Sequence, residues 1–276
     1  DYKLSSDGKD VESITYDITK DQNQLNIAKA ALKANPDLYF EGFSNSAPYF
    51  MTKTGCTSGG GTVNSDGTVT SNGNLNNLND DMYDDFAKFI ADATKLFKDN
   101  GIEFKSYSPM NEPDTDYWGY GSLKQEGCHF DPGTSQSKMI TETRKALDNA
   151  GFADVTILKK TANNLGSLTD EAKTALGRVD THTYPAPDRG YHAQVKAKAL
   201  ELGKNLWQSE VDGNWDGADL ASMIIEDVNG MQPSAWVMWD IIDRHKDSEF
   251  VDPTTQKKTE ENNSANYTNA LWGVGM

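Results

Sequence analysis

The sequence predicts an α/β fold of the TIM (β/α)8 type, with about six of the eight strand–helix units present. Three observations predict it. Short apolar segments alternate with amphipathic ones along all 276 residues, and no repeat or linker divides them. Such alternation implies parallel strands covered by helices. Polar and aromatic residues gather at the C-terminal ends of the strands (Asn45, Asn111-Glu112, His182-Thr183-Tyr184, Glu210, Trp239-Asp240), where a barrel of this type keeps its site. A doubly wound sheet would carry a Gly-rich first turn at its switch point, and no such turn occurs.

A first helix is expected near Asp21–Asn35, with Leu25, Ala28 and Leu32 on one face and Pro36 as its stop. Residues 1–20 read as a tail. Leu38-Tyr39-Phe40 reads as a strand running into Phe43-Ser44-Asn45-Ser46. Residues 54–80, rich in Gly, Ser, Thr and Asn, read as a long surface loop, with Gly59-Gly60-Gly61 as its flexible part. Met82, Phe86, Phe89, Ile90, Ala93 and Phe97 lie at helical spacing, closed by Asn100-Gly101. Four further pairings follow: strand 102–108 with helix 137–149, strand 155–158 with helix 169–176, strand 178–184 with helix 192–202, and strand 206–211 with helix 220–228. Ala235–Ile241 is the last strand. The loop at 114–135 is aromatic and polar.

Composition narrows the function. Apolar residues make up 36% and charged residues 25%, enough for a sizeable core. Lys and Arg number 26 against 42 Asp and Glu, a net charge of −16. That surface repels phosphate backbones, so neither nucleic acid nor an anionic membrane is an expected partner. No apolar run approaches a membrane span. The four histidines, His129, His182, His192 and His245, show no ligand spacing, and neither HExxH nor CxxC occurs. No metal or other cofactor is expected.

Two carboxylates stand out. Glu112 follows strand 102–108 between Asn111 and Pro113, and Glu210 ends strand 206–211 after Leu206-Trp207-Gln208-Ser209. A glutamate in such a run is costly to bury without partners. Two carboxyls at strand ends suit glycoside hydrolysis, where one protonates the leaving oxygen and the other attacks the anomeric carbon. Asp114, Asp116, Asp212 and Asp240 are rival acids, better read as loop caps or sugar contacts. Tyr117, Trp118, Tyr120, Trp215 and Trp239 could offer flat rings to the C–H faces of a sugar, Trp118 and Trp239 above all.

The segments Glu41-Gly42-Phe43-Ser44-Asn45-Ser46-Ala47-Pro48-Tyr49-Phe50-Met51-Thr52, Ser106-Tyr107-Ser108-Pro109-Met110-Asn111-Glu112-Pro113, Gln125-Glu126-Gly127-Cys128 and Gln208-Ser209-Glu210-Val211-Asp212-Gly213 resemble glycoside hydrolase family 30 of the retaining clan A. Within it they resemble the endo-β-1,6-galactanase group. The resemblance implies a retaining double displacement, with Glu112 as acid/base and Glu210 as nucleophile. Asn111 would bond the hydroxyl beside the anomeric carbon, and Asn45, Trp118, His182, Tyr184 and Trp239 would contact sugar, His182 and Tyr184 alternatively orienting Glu210. It also suggests secretion, where a disulfide persists. Cys56 and Cys128 lie in loops that follow adjacent strands, and a bond between them is expected over two buried thiols.

Family barrels begin with two further strand–helix units and carry a β-sandwich after the barrel. The expectation is therefore a single catalytic barrel domain over 1–276, short of those two units and of the sandwich. The leading function is a secreted, monomeric endo-β-1,6-galactanase acting on side chains of plant arabinogalactan. Alternatives are another activity of the family (β-glucosidase, glucosylceramidase or xylanase type) or a non-catalytic carbohydrate-binding fragment. A glucuronoxylanase needs a basic cluster, and only Arg144, Arg178, Arg189 and Arg244 are available.

Overall fold

The computed structural model describes residues 1–121, 126–160, 164–184, 189–211, 217–239, 250–251 and 258–259. The chain forms two compact units: Asp1–Leu158 with Ser167–Gly177, and Lys159–Gly166 with Arg178–Met276.

The first unit opens on a hairpin where a tail is expected. Strands β1 (Tyr2–Leu4) and β2 (Val11–Ile14) pair antiparallel, turning through Gly8 at φ 71°. Helix α1 (Gln22–Ala34) buries Leu25 and half-buries Ala28 and Leu32, the expected face. Strand β3 (Phe40–Phe43) follows. The region expected to be a plain loop contains a second hairpin, β4 (Gly61–Val63) with β5 (Val69–Ser71). Strands of three residues are too short to show a period of two against a Gly/Ser/Thr background.

Helix α2 (Tyr83–Asp99) carries the core, with Phe86 and Ile90 fully buried. It ends as Asn100-Gly101 predicts: Gly101 takes φ 91°, and the Ile102 N–H donates to the Phe97 carbonyl at 2.9 Å, satisfying a carbonyl that has lost its helical partner. Strand β6 (Phe104–Ser108) lies parallel to β3, with Phe43 opposite Ser108. Helix α3 (Thr134–Asn149) buries Met139, Ile140 and Leu147 and packs on α2. Strand β7 (Thr156–Lys160) pairs parallel with β6. Helix α4 (Asp170–Ala175) is capped by the Thr169 hydroxyl, which accepts from the Ala172 N–H at 3.2 Å.

Strand β8 (Leu176–His182), which enters the second unit at Arg178, and β9 (Asn205–Glu210) run parallel, with His182 opposite Glu210. Helices α5 (Arg189–Glu201) and α6 (Gly217–Met231) pack together. Strand β10 (Ala235–Trp236) lies parallel to β9. A last short pair, β11 (Phe250–Val251) and β12 (Lys258–Thr259), is antiparallel. Residues 240–241, the end of the expected last strand, lie outside the described residues.

The strand order is β10-β9-β8-β7-β6-β3. Among the described residues, six strands with intervening helices make an incomplete barrel of the (β/α)8 type, as the alternation predicts. Among the described residues, no helix is long and apolar enough to cross a membrane.

Two expectations are corrected in the loops. Gly59 and Gly60 are packed rather than flexible. Gly59 sits at φ 119°, where an added Cβ would stand 2.0 Å from the Trp118 carbonyl oxygen, and the Gly60 N–H donates to that oxygen at 2.9 Å. The expected disulfide is absent: Cys56 and Cys128 are free thiols. Cys56 Sγ lies 3.0 Å from Ser58 Oγ, while Cys128 is buried and burial pushes its thiol up to about 11. A thiolate-specific reagent at pH 8 should therefore label Cys56 in the native protein and both cysteines only after denaturation. No labelling after denaturation without reductant would restore the disulfide. At Gly127 an added Cβ would meet the Trp118 ring at 2.2 Å. Gly127→Ala should cost about 1–3 kcal/mol in urea unfolding.

Candidate active site

Glu112 stands four residues past the C-terminal end of β6, in a turn its own residue type disfavours. Its φ is 42°, the left-handed region, where a side chain crowds its own backbone. Pro113 follows, and a residue before proline is normally driven to extended backbone. The turn persists because it is held from outside. The Glu112 carbonyl accepts from Trp118 Nε1 at 3.1 Å, from Thr115 Oγ1 at 2.9 Å and from the Thr115 N–H at 3.3 Å.

The loop is pinned in turn. His129 Nδ1 is 2.8 Å from the Thr115 carbonyl, and the Phe130 N–H donates to the Pro113 carbonyl at 3.1 Å. Gln136 Nε2 donates to the Asp114 carboxylate, so this rival acid anchors the loop. The Glu112 carboxyl is half-buried and accepts from the Tyr117 hydroxyl. Asn111, beside it, is 3% exposed. Its Oδ1 has no hydrogen-bond partner among the described residues, an unusual state for a buried acceptor.

Trp118 is a correction. At 1% exposure, with Gly59 and Gly127 closed on it, it offers no ring face to a sugar; its indole serves the Glu112 turn. Its neighbour Tyr117 is the exposed ring, at 43%. Adjacent aromatics in a loop look alike in sequence, and only the distant glycines decide which points inward. Asn45, two residues past β3, donates from Nδ2 to Glu126 Oε1 at 3.0 Å.

In the second unit Glu210 is the last residue of β9. Its Oε1 accepts from the Tyr184 hydroxyl at 3.2 Å and lies 3.7 Å from His182 Nδ1. His182 and Tyr184 meet edge to face, ring centres 6.0 Å apart. The structure thus brings these three predicted residues together. Trp239 is half-buried, its N–H donating to the Val211 carbonyl at 2.8 Å. Asp212, Trp215 and Asp240 lie outside the described residues.

Beneath this group lies a network that the sequence reading missed. Asp227 on α6 is fully buried, and burial pushes its carboxyl above the usual range. Its Oδ2 accepts from Trp236 Nε1 at 2.8 Å and from Thr183 Oγ1 at 3.1 Å, and His192 Nε2 is 3.2 Å from its Oδ1. Gln208 Nε2 donates to Thr183 Oγ1 at 3.1 Å. Thr183 is flanked by His182 and Tyr184, so the network fixes the strand ends that carry both Glu210 partners. An aspartate amid apolar helix residues was the available signal.

The model of O-Glycosyl hydrolase family 30 matches residues 9–183. An endo-β-1,6-galactanase from Hypocrea rufa is 28% identical over 242 residues, covering 85% of this chain and 47% of that protein. An exo-β-1,6-galactobiohydrolase from Bifidobacterium longum subsp. longum is 24% identical, covering 85% of this chain and 19% of that protein. The chain thus spans less than half the length of these curated relatives. A solved glycoside hydrolase family 30 subfamily 8 xylanase from Clostridium acetobutylicum superposes with a TM-score of 0.62 at 17% identity, over 88% of this chain and 57% of that one. With its six-strand parallel order, its Asn111-Glu112-Pro113 turn and a family match over most of its length, the chain belongs to glycoside hydrolase family 30.

Proposed function

We propose that the chain is the catalytic barrel domain of a secreted, retaining endo-β-1,6-galactanase, with Glu112 as acid/base and Glu210 as nucleophile. The observation that carries the reading is the setting of Glu210. A half-buried carboxylate at a strand end, accepting a hydrogen bond from the Tyr184 hydroxyl, is an oriented anion of the kind a glycosyl-enzyme requires. Glu210 attacks the anomeric carbon as Glu112 gives its proton to the departing glycosidic oxygen. Glu112 then takes a proton from water, whose oxygen displaces Glu210. The Asn111 Oδ1, without a partner among the described residues, suits a sugar hydroxyl donor, a bond that strengthens as positive charge grows at the anomeric carbon. The four arginines of the sequence are few for recognising a uronate.

Galactan as substrate is supported by the likeness to the Hypocrea rufa protein. The likeness to the Bifidobacterium longum protein favours a second reading, exo release of galactobiose. Product lengths from β-1,6-galactan separate them: mixed oligosaccharides early in digestion support the endo reading, galactobiose alone the exo one. Binding without hydrolysis would sink both.

Glu112→Gln should lower kcat on galactan by about 10²–10⁴-fold, yet lose far less on an aryl galactoside whose leaving group needs no proton. Equal losses on both would remove Glu112 from the acid role. Glu210→Gln should be inactive on both substrates. In a ligand complex the two carboxyls should stand about 5–5.5 Å apart, against roughly 6.5–9.5 Å for an inverting pair. Tyr117→Phe should lower kcat on galactan about tenfold, because the hydroxyl that orients the Glu112 carboxyl is lost. An unchanged kcat would reduce Tyr117 to a packing role.

A further inference from the structure

We propose that Tyr2, Tyr49 and Phe50 form a second binding site, a platform on which a neutral β-linked galactan chain lies beyond the reacting bond. The proposal rests on the glycan-degrading reading above and adds to it a site built from other residues. The three rings form one cluster. Tyr2 stacks on Phe50 with centres 3.9 Å apart and planes 8° apart, and Tyr49 meets both edge-on at 5.8 and 5.5 Å. The Tyr49 hydroxyl donates to that of Tyr2 at 3.4 Å. Yet the cluster faces solvent: Tyr2 is 41% and Tyr49 51% exposed.

Leaving rings of this size in water forgoes their burial energy, and the backbone beneath them is built to keep them there. Residues Ala47 and Met51, on either side of Tyr49 and Phe50, are fully buried. The 3₁₀ turn Tyr49–Met51 is closed by Thr52, whose N–H and Oγ1 both donate to the Tyr49 carbonyl, at 3.1 and 2.8 Å. The Asn79 N–H adds a bond to the Met51 carbonyl at 3.0 Å. A rigid backbone presenting exposed rings is preorganised for a ligand.

Position gives the platform its ligand. Phe43 pairs with Ser108, and the Ser44 N–H donates to the Ser108 carbonyl at 2.9 Å. The segment bearing Tyr49 and Phe50 therefore leaves the sheet beside the strand that leads to Glu112. Between the two, Asn45 joins Glu126 from the loop that follows Glu112. The chemistry agrees. In β-galactose the axial 4-hydroxyl leaves the hydrogens on carbons 3, 4 and 5 on one face, an apolar patch about the size of an aromatic ring. The tyrosine hydroxyls can serve the sugar's own. A net charge of −16 disfavours anionic polymers.

Affinity electrophoresis in gels containing β-1,6-galactan, β-1,6-glucan or xylan tests this, with Glu210→Gln as the non-hydrolysing parent. Adding Tyr49→Ala or Tyr2→Ala should weaken retention by galactan about tenfold, while Tyr39→Ala, exposed at the opposite end of β3, should not. With Glu210 intact, Tyr49→Ala should raise KM on the polymer and leave turnover of a short aryl galactoside unchanged. Parent retention by glucan or xylan instead, lost with Tyr49, would keep the platform and overturn the galactan reading. Retention unchanged in Tyr49→Ala would overturn the platform, as would a parent that no glycan retains. Should Tyr2→Ala fail to fold, Tyr49→Ala decides alone.

Discussion

One carbonyl oxygen organises the first unit. Glu112 cannot hold a left-handed backbone before proline by itself, and the strain of such a residue is on the order of 1–3 kcal/mol. Three donors from Thr115 and Trp118 converge on its carbonyl and over-determine the turn. Each donor then needs its own support. Trp118 must be buried to aim its indole, so glycines at 59 and 127 leave room for it. Thr115 is tied through its carbonyl to His129. The Gln125-Glu126-Gly127-Cys128 motif takes on physical meaning in this light: Gly127 accommodates the indole, Cys128 fills core, and Glu126 holds Asn45.

The second unit solves the same positioning problem with a buried acid. Asp227 collects donors from Thr183 and Trp236 and faces His192. Burying a carboxyl is costly without such partners. What that cost secures is geometry: the residues on either side of Thr183 reach Glu210 directly. In each unit a buried side chain, Trp118 in the first and Asp227 in the second, thus fixes the backbone around the carboxylate or its partners.

The alternation of elements was legible because helices α1, α2 and α3 carry long periodic faces, and period is what sequence shows best. The placement of Glu112, Glu210, His182 and Tyr184 at or just beyond strand ends was legible from the same alternation. The hairpins β1–β2 and β4–β5 were not, since three- and four-residue strands carry too few side chains to reveal a face. Nor was the inward turn of Trp118 against the outward turn of Tyr117, which is decided by backbone approach from residues 59 and 127. The cysteine pairing rested on loop adjacency, and adjacency of loops does not fix the direction of two Cβ atoms.

The left-handed Glu112 also sets stability against the proposed acid/base role. Glycine accepts φ 42° freely, so a Glu112→Gly change relieves strain of about 1–2 kcal/mol and offsets roughly 1 kcal/mol of added unfolded-state entropy. The fold gains or breaks even as the proposed chemistry disappears. Selection for thermal robustness alone would therefore drift toward losing the proposed acid/base at this position. A screen that scores folding without scoring hydrolysis would count that loss as neutral.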